Sequence, residues 1–162
     1  MARALIVGCG CRGTALGIGL RERGWAVRGT TRDPGRAAAI EAAGLEPAIA
    51  DPDRPGTLLE LVGDVAVVCW LLGSAGGRPE SVAAVHGPRL ERLLEKLVDT
   101  PVRGFVYEAA GEAGRESLAR GAALVREAAA AWRIRVAIVD ADLPDHEAWL
   151  DAMLTATTRL VS

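Results

Sequence analysis

The stretch Arg3-Ala4-Leu5-Ile6-Val7-Gly8-Cys9-Gly10-Cys11-Arg12-Gly13 decides the fold. Ala4 to Val7 is an unbroken apolar run, the pattern of a strand buried on both faces of a parallel sheet. It leads directly into Gly8-Cys9-Gly10-Cys11-Arg12-Gly13, which matches G-x-G-x-x-G. From about Thr14 to Arg23 the spacing turns helical, with Leu16 and Leu20 on one face, until Gly24 stops it. A buried strand, a glycine turn and a helix in that order form the opening of a dinucleotide-binding βαβ unit. Gly8 permits the tight turn, Gly10 lets backbone approach a pyrophosphate, and Gly13 lets the helix pack close to the sheet. Gly17, one turn further, extends that close approach. The free N–H groups at the helix start face the phosphates, and the helix dipole favours negative charge there. The competing reading is a glycine-rich turn that binds nothing, and the strand-turn-helix context argues against it.

Outward from this unit, β-rich runs and Ala-rich helical stretches alternate. Strands are expected at Trp25–Thr30, Leu45–Ala50, Val65–Leu72, Val102–Tyr107 and Ile134–Val139. Between them, Pro34 opens a helix closed by Gly44, a short helix covers Gly56 to Val62, and one long amphipathic helix runs from Glu80 to Val98. Further helices span Glu116–Trp132 and Pro144–Leu160, and residues 73–79 (GSAGGRP) form the most flexible segment. Six strands alternating with six helices predict an α/β fold: three layers, doubly wound, with a six-stranded parallel sheet. Right-handed crossovers favour the strand order 3-2-1-4-5-6 of the Rossmann fold.

Composition bounds the rest. With 162 residues, half of them apolar, the chain suits one domain with one sizeable core, covering residues 1–162. A net charge of −2 argues against nucleic acid as the partner. The longest apolar run, Val65 to Leu72, is far too short to span a membrane. Met1-Ala2-Arg3 enters the first strand directly and leaves no room for a signal peptide. Cys9, Cys11 and Cys69 make an odd set without zinc or disulfide spacing, so a reduced, cytoplasmic location is expected. Arginine outnumbers lysine overwhelmingly, Lys96 being the only lysine, which fits a GC-rich bacterial genome.

The choice of nucleotide turns on the end of the second strand. Relatives that bind NAD place an acid there for the ribose hydroxyls, but this chain has Thr31 followed by Arg32. Arg32 and Arg12, with the hydroxyls of Thr30 and Thr31, are expected to clasp a 2′-phosphate, so NADP is read ahead of NAD. Asp33, about 20 residues after Gly13, would become the ribose acceptor after a small register shift. The alternative reading is that Arg28, Arg32 and Arg36 solvate the sheet edge.

These residues resemble the extended and atypical branch of the short-chain dehydrogenase/reductase superfamily, above all its NAD(P)H-binding, NmrA-like and epimerase-like members. The likeness runs through nearly the whole chain at motif level: residues 3–13 (RALIVGCGCRG), 23–34 (RGWAVRGTTRDP) and 49–72 (IADPDRPGTLLELVGDVAVVCWLL). It implies that Asp51 contacts the adenine, and that Leu72, Gly73 and Ser74 cover the ribose and nicotinamide side. It also makes residues 82–97 the family's long fourth helix, with His86 where relatives often carry a structural asparagine. The family's catalysis uses a serine near the end of strand five and a Tyr-x-x-x-Lys on the next helix. Here alanine fills the serine positions at 109 and 110, and Glu116 and Arg120 stand where tyrosine and lysine would. The usual triad is absent. The chain also stops one helix after the sixth strand, without the family's C-terminal substrate portion. A crevice so exposed would need a partner subunit to cover it, and a homodimer through the helices after strands four and five is the expected form.

Tyr107 and Glu108, at the carboxyl end of strand five, are the candidates for a substitute acid or base. His86 reads as a satisfied structural histidine. Asp140, Asp142, Asp145 and His146 have metal-ligand types, but a helix-entry loop explains them more simply and no metal is expected. Cys9 and Cys11 lie by a helix N-terminus that can activate a thiol, yet side chains at such positions usually pack. Trp132 and Trp149 are expected in the core or at an interface. The resulting expectation is a dinucleotide-binding protein, NADP(H) before NAD(H), acting as an atypical reductase on a small molecule. A non-catalytic sensor or regulatory module is the alternative.

Overall fold

The computed structural model of the chain describes residues 1–140 and 144–162. Six strands form one parallel sheet: β1 (Arg3–Val7), β2 (Ala26–Thr31), β3 (Glu46–Ile49), β4 (Val67–Trp70), β5 (Gly104–Glu108) and β6 (Arg135–Val139). Their order is β3-β2-β1-β4-β5-β6, as the alternation of elements required. From β1 the chain builds outward to β2 and β3, then crosses back to place β4 on the other side of β1. That reversal opens a crevice above the carboxyl ends of β1 and β4. Register carries Val7 beside Trp70 and Trp70 beside Tyr107, so three strand ends finish level.

The period of two along β1 supplies two cores. Leu5 and Val7 face one layer with Trp70, Phe105 and Tyr107. Ala4 and Ile6 face the other with Cys69 and Val106. The first face is covered by α3 (Pro55–Leu59), α4 (Pro79–Val85), α5 (Pro88–Leu97) and α6 (Arg115–Trp132), through Leu58, Leu90, Leu93, Leu94 and Val125. The second is covered by α1 (Cys11–Glu22), α2 (Ala37–Ala42) and α7 (His146–Arg159), through Leu16, Leu20, Ile40, Met153 and Leu154. At the amino end of the sheet, Arg3 and Arg28 each pair with both Glu46 and Asp64, at 2.9–3.2 Å. Arg28 is thereby tied to the end of the sheet opposite the crevice.

One expectation is corrected: the helix read from Glu80 to Val98 is two helices, α4 and α5, broken at His86-Gly87-Pro88. Pro88 has no N–H to donate and disfavours helical geometry in the residue before it. Gly87 accordingly leaves the helical region, at φ −134° and ψ −112°. The break drives His86 inward until it is fully buried. Its Nε2 lies 2.9 Å from the Leu72 carbonyl oxygen and its Nδ1 lies 2.6 Å from the Tyr107 hydroxyl. A carbonyl only accepts, so Nε2 carries the proton and Nδ1 accepts from the tyrosine; the ring is neutral. The indole Nε1 of Trp70 donates to Val85 O at 3.2 Å, pinning the end of α4 to the sheet.

Replacing this imidazole should be costly. His86→Phe leaves the buried Tyr107 hydroxyl without a partner and should lose ~2–4 kcal/mol in urea unfolding at neutral pH. Burial holds the His86 pKa below its ordinary value. As pH falls below about 6.5 the unfolded ring gains a proton that the buried ring refuses, so wild type loses stability on acidification. The stability difference between wild type and His86→Phe should therefore shrink from pH 7.5 to pH 5.5 on that ordinary histidine scale; a constant difference contradicts the neutral-ring assignment.

Candidate functional site

The turn after β1 is shaped by backbone contacts. Gly8 has φ +87°, and a Cβ there would meet the Leu71 carbonyl oxygen at 2.5 Å. Cys9 N donates to Thr30 O at 3.0 Å and Gly10 N to Gly8 O at 2.9 Å, tying the loop to β2 and to itself. The first α1 amide to find an acceptor is that of Thr14, which donates to Gly10 O at 2.9 Å. Among the described residues the N–H groups of Cys11, Arg12 and Gly13 meet none, and α1 has no side-chain cap. A Cβ on Gly10 would touch nothing within 4 Å, whereas one on Gly13 would press on Gly8 O at 2.9 Å. The helix is packed tightly below and left open above. Three bare amides at the positive end of a 12-residue helix favour an anion.

Above them lies a cleft of about 410 Å³. Of the site residues read from the sequence, Gly8, Gly10, Cys11, Arg12 and Gly13 line it from the first loop. Thr31 and Arg32 line it from the end of β2, and Leu72 from the segment after β4. Two do not. The Asp51 carboxylate turns into its own loop, accepting from Asp53 N at 2.9 Å, while Ala50 and Pro52 face the cleft. Gly73 is drawn away because its N–H donates to Glu108 Oε1 at 3.1 Å. Asp33 is not among the cleft-lining residues: its Oδ1 accepts from Gly35 N at 2.8 Å and caps the 3-10 turn Pro34–Arg36. That turn carries Arg36 to the cleft wall, together with Thr30.

The expected pairing of Arg12 with Arg32 is not what forms. The Arg12 guanidinium lies over the Trp149 ring, 5.3 Å from its centroid. The Trp149 Nε1 donates to Glu108 Oε2 at 3.0 Å, at the end of β5. Since β5 and β2 lie on opposite sides of β1, Arg12 reaches away from Arg32. Attraction to the indole face, ~0.5–2 kcal/mol, and the nearby Glu108 charge account for that direction. Arg36 is the second guanidinium on the β2 side. Among the described residues Arg12, Arg32 and Arg36 form no ion pair. Trp149 is buried, within the expectation of a core or interface position, but nothing in its spacing signals its contacts with Arg12 and Glu108.

The two proton-transfer candidates separate. Tyr107 is fully buried under Gly121, its hydroxyl held by His86, and does not reach the cleft. Burial and the Glu108 charge push its pKa well above the ordinary phenol range. Glu108 does line the cleft, 5% exposed, with both oxygens accepting N–H bonds. Desolvation raises its pKa, while the two donors and Arg12 pull it back. Cys9 packs against Gly29, and its thiol is raised by burial, whereas the Cys11 side chain is exposed. Asp145 caps α7 by accepting from Glu147 N and Ala148 N, and His146 stacks on Trp149 with centroids 6.0 Å apart. Asp142 lies outside the described residues, among which no group of three His, Cys, Asp or Glu side chains is gathered for a metal. No helix among them is long and apolar enough to cross a membrane.

No family model and no curated protein matches the chain. Solved structures do. A short-chain dehydrogenase/reductase superfamily protein from Agrobacterium tumefaciens, with bound NAD, is 20% identical with a TM-score of 0.68, over 84% of this chain and 48% of that one. A UDP-glucuronic acid 4-epimerase from Bacillus cereus, in complex with NAD, is 16% identical with a TM-score of 0.67, over 84% and 54%. A putative short-chain dehydrogenase/reductase from Corynebacterium glutamicum is 19% identical with a TM-score of 0.68, over 93% and 88%. The chain thus spans about half the length of the first two and most of the third. At these identities the likeness is one of fold: the chain has the doubly wound sheet of the short-chain dehydrogenase/reductase and epimerase structures.

The two loop glycines should respond differently to a methyl group. Gly8→Ala combines a positive φ with a collision against Leu71 O and should cost ~2 kcal/mol or more in chemical unfolding. Gly10→Ala, at φ −86° facing open space, should cost under ~1 kcal/mol. Equal losses would contradict the loop geometry.

Proposed function

We propose that the chain binds a nicotinamide dinucleotide along this cleft, NADP(H) ahead of NAD(H), and acts as an atypical reductase on a small molecule. One observation carries the binding: three unpartnered amides at the start of α1, beneath a Gly10 face that only open space adjoins. That is the cradle a diphosphate needs, with backbone donors and no side chain in the way. Fold neighbours crystallised with NAD support the same reading.

The preference for a phosphorylated ribose rests on the end of β2. Arg32 and Arg36 line the cleft there without an ion pair among the described residues, and the one nearby acid, Asp33, is engaged in its own turn. A guanidinium pair recognises a phosphate monoester through charge-assisted hydrogen bonds, and it gives a bare ribose no comparable contact. When bound, the nicotinamide supplies or accepts a hydride. The chain itself offers Glu108 as the proton-active group at the cleft, its carboxyl shifted upward by burial.

A second reading has its own support. Tyr107 is sealed from the cleft by His86, and both Glu108 oxygens already accept hydrogen bonds, which favours a nucleotide-binding sensor without chemistry.

Thermal shift tests the binding. NADPH should raise the melting temperature progressively, by the equivalent of about 2.7 kcal/mol at 100 times its Kd, and NADH should need a higher concentration. Arg32→Ala should bring the two nucleotides to similar affinity; an unaltered preference refutes the arginine reading. NADPH consumption across aldehydes, ketones and quinones then separates reductase from sensor. Turnover lost in Glu108→Gln with NADPH binding retained supports the reductase, and binding without turnover of any carbonyl supports the sensor.

A further inference from the structure

The cleft holds cations at both ends, and only one end is explained by the cofactor reading. Arg32 and Arg36 occupy the β2 side. On the other side of β1, Arg12 lines the cleft with its guanidinium carbon over the Trp149 ring, 5.3 Å from the centroid. Trp149 cannot drift, since it is 1% exposed and its Nε1 is bonded to Glu108. Glu108 is in turn anchored by Gly73 N. A flexible side chain is thereby given a preferred orientation by a rigid ring. An aromatic ring attracts the guanidinium charge but takes none of its N–H groups in a conventional hydrogen bond, so they stay available for a planar anion in a forked pair. Among the described residues Arg12 forms no ion pair, although the Glu108 carboxylate is near enough to feel its charge. The three bare α1 amides already suffice for a diphosphate, so this guanidinium is left over.

We propose that Arg12, seated on Trp149, is the carboxylate-binding corner of the cleft, and that the ligand taken beside the nucleotide is a small carbonyl compound bearing a carboxylate. The ligand's carboxylate meets the N–H edge of Arg12, and its body extends toward Leu72, Ser74 and Ala75, which line the same cleft. Neutral carbonyl compounds of equal size lack this anchor. The assignment rests on the cofactor reading of the cleft for its location, but its chemistry belongs to Arg12 alone.

Pyruvate and levulinate, each compared with its methyl ester at matched ionic strength, are the probes. They are titrated into the full chain with and without saturating NADP, and read by thermal shift and calorimetry. The carboxylates should stabilise the NADP-loaded protein and the esters should not. In Arg12→Gln the carboxylate Kd of the NADP-loaded protein should rise by about tenfold or more, a larger factor than the change in NADP Kd, with partial recovery in Arg12→Lys. No carboxylate binding to the loaded wild-type chain overturns the proposal. So does an Arg12→Gln variant that loses NADP affinity and keeps its carboxylate response, because Arg12 then serves the diphosphate. If no nucleotide binds, carboxylate binding that still depends on Arg12 discards the cofactor reading and keeps this one; silence from both ligands discards both.

Discussion

The close approach of α1 to the sheet is the constraint on which the molecule depends. Backbone turns at Gly8 because only a residue without Cβ clears the Leu71 carbonyl at that positive φ. The helix that follows settles onto β1 at Gly13, onto Leu45 at Gly17 and against Leu154 of α7 at Gly19. Each contact would be pushed apart by a methyl group. With the helix drawn in this far, its first three amides sit at the carboxyl edge of the sheet, where the chain reverses direction between β1 and β4. Helix polarity, sheet topology and glycine sterics therefore converge on one spot.

A second layer of organisation is polar and lies just beneath the cleft. His86 joins Leu72 to Tyr107, and Glu108 joins Gly73 to Trp149. The two systems are adjacent in β5 yet face opposite sheet surfaces, so each locks one core to the loop after β4. Among the described residues no buried side-chain N or O atom lacks a partner, which is the condition under which buried polar groups do not destabilise a fold. Tyr107 and Glu108, the two candidates for proton transfer, are both engaged in holding the structure together. Of those two side chains, Glu108 also lines the cleft.

Much of this was legible from residue order. The apolar run at Ala4–Val7, the glycine spacing and the alternation of strands with helices led to the sheet order found. Eight of the ten residues assigned to the cleft line it. The exceptions share a cause: Asp51 and Gly73 are drawn into local hydrogen bonds that compete with the cleft for the same groups. Helical periodicity runs past the break at Gly87, because Leu90, Leu93, Leu94 and Leu97 continue an amphipathic pattern beyond Pro88. Arg12 in the glycine loop and Arg32 after β2 flank one spot in the fold's plan, whereas the direction each side chain takes across the sheet decides its neighbours.

The sequence by itself determined what depends on local chemistry: where the backbone can turn, which segments bury both faces, and which amides are left without partners. Those follow from sterics and periodicity within a few residues. Only the tertiary structure decided what depends on residues far apart in the chain. Trp149 meets Glu108 across 41 positions, and His86 meets Tyr107 across 21. Whether Tyr107 reaches the cleft, and which way Arg12 points, were settled by those partners. A side chain's direction is set by the packing and hydrogen bonds it finds in space, and spacing along the chain does not encode them.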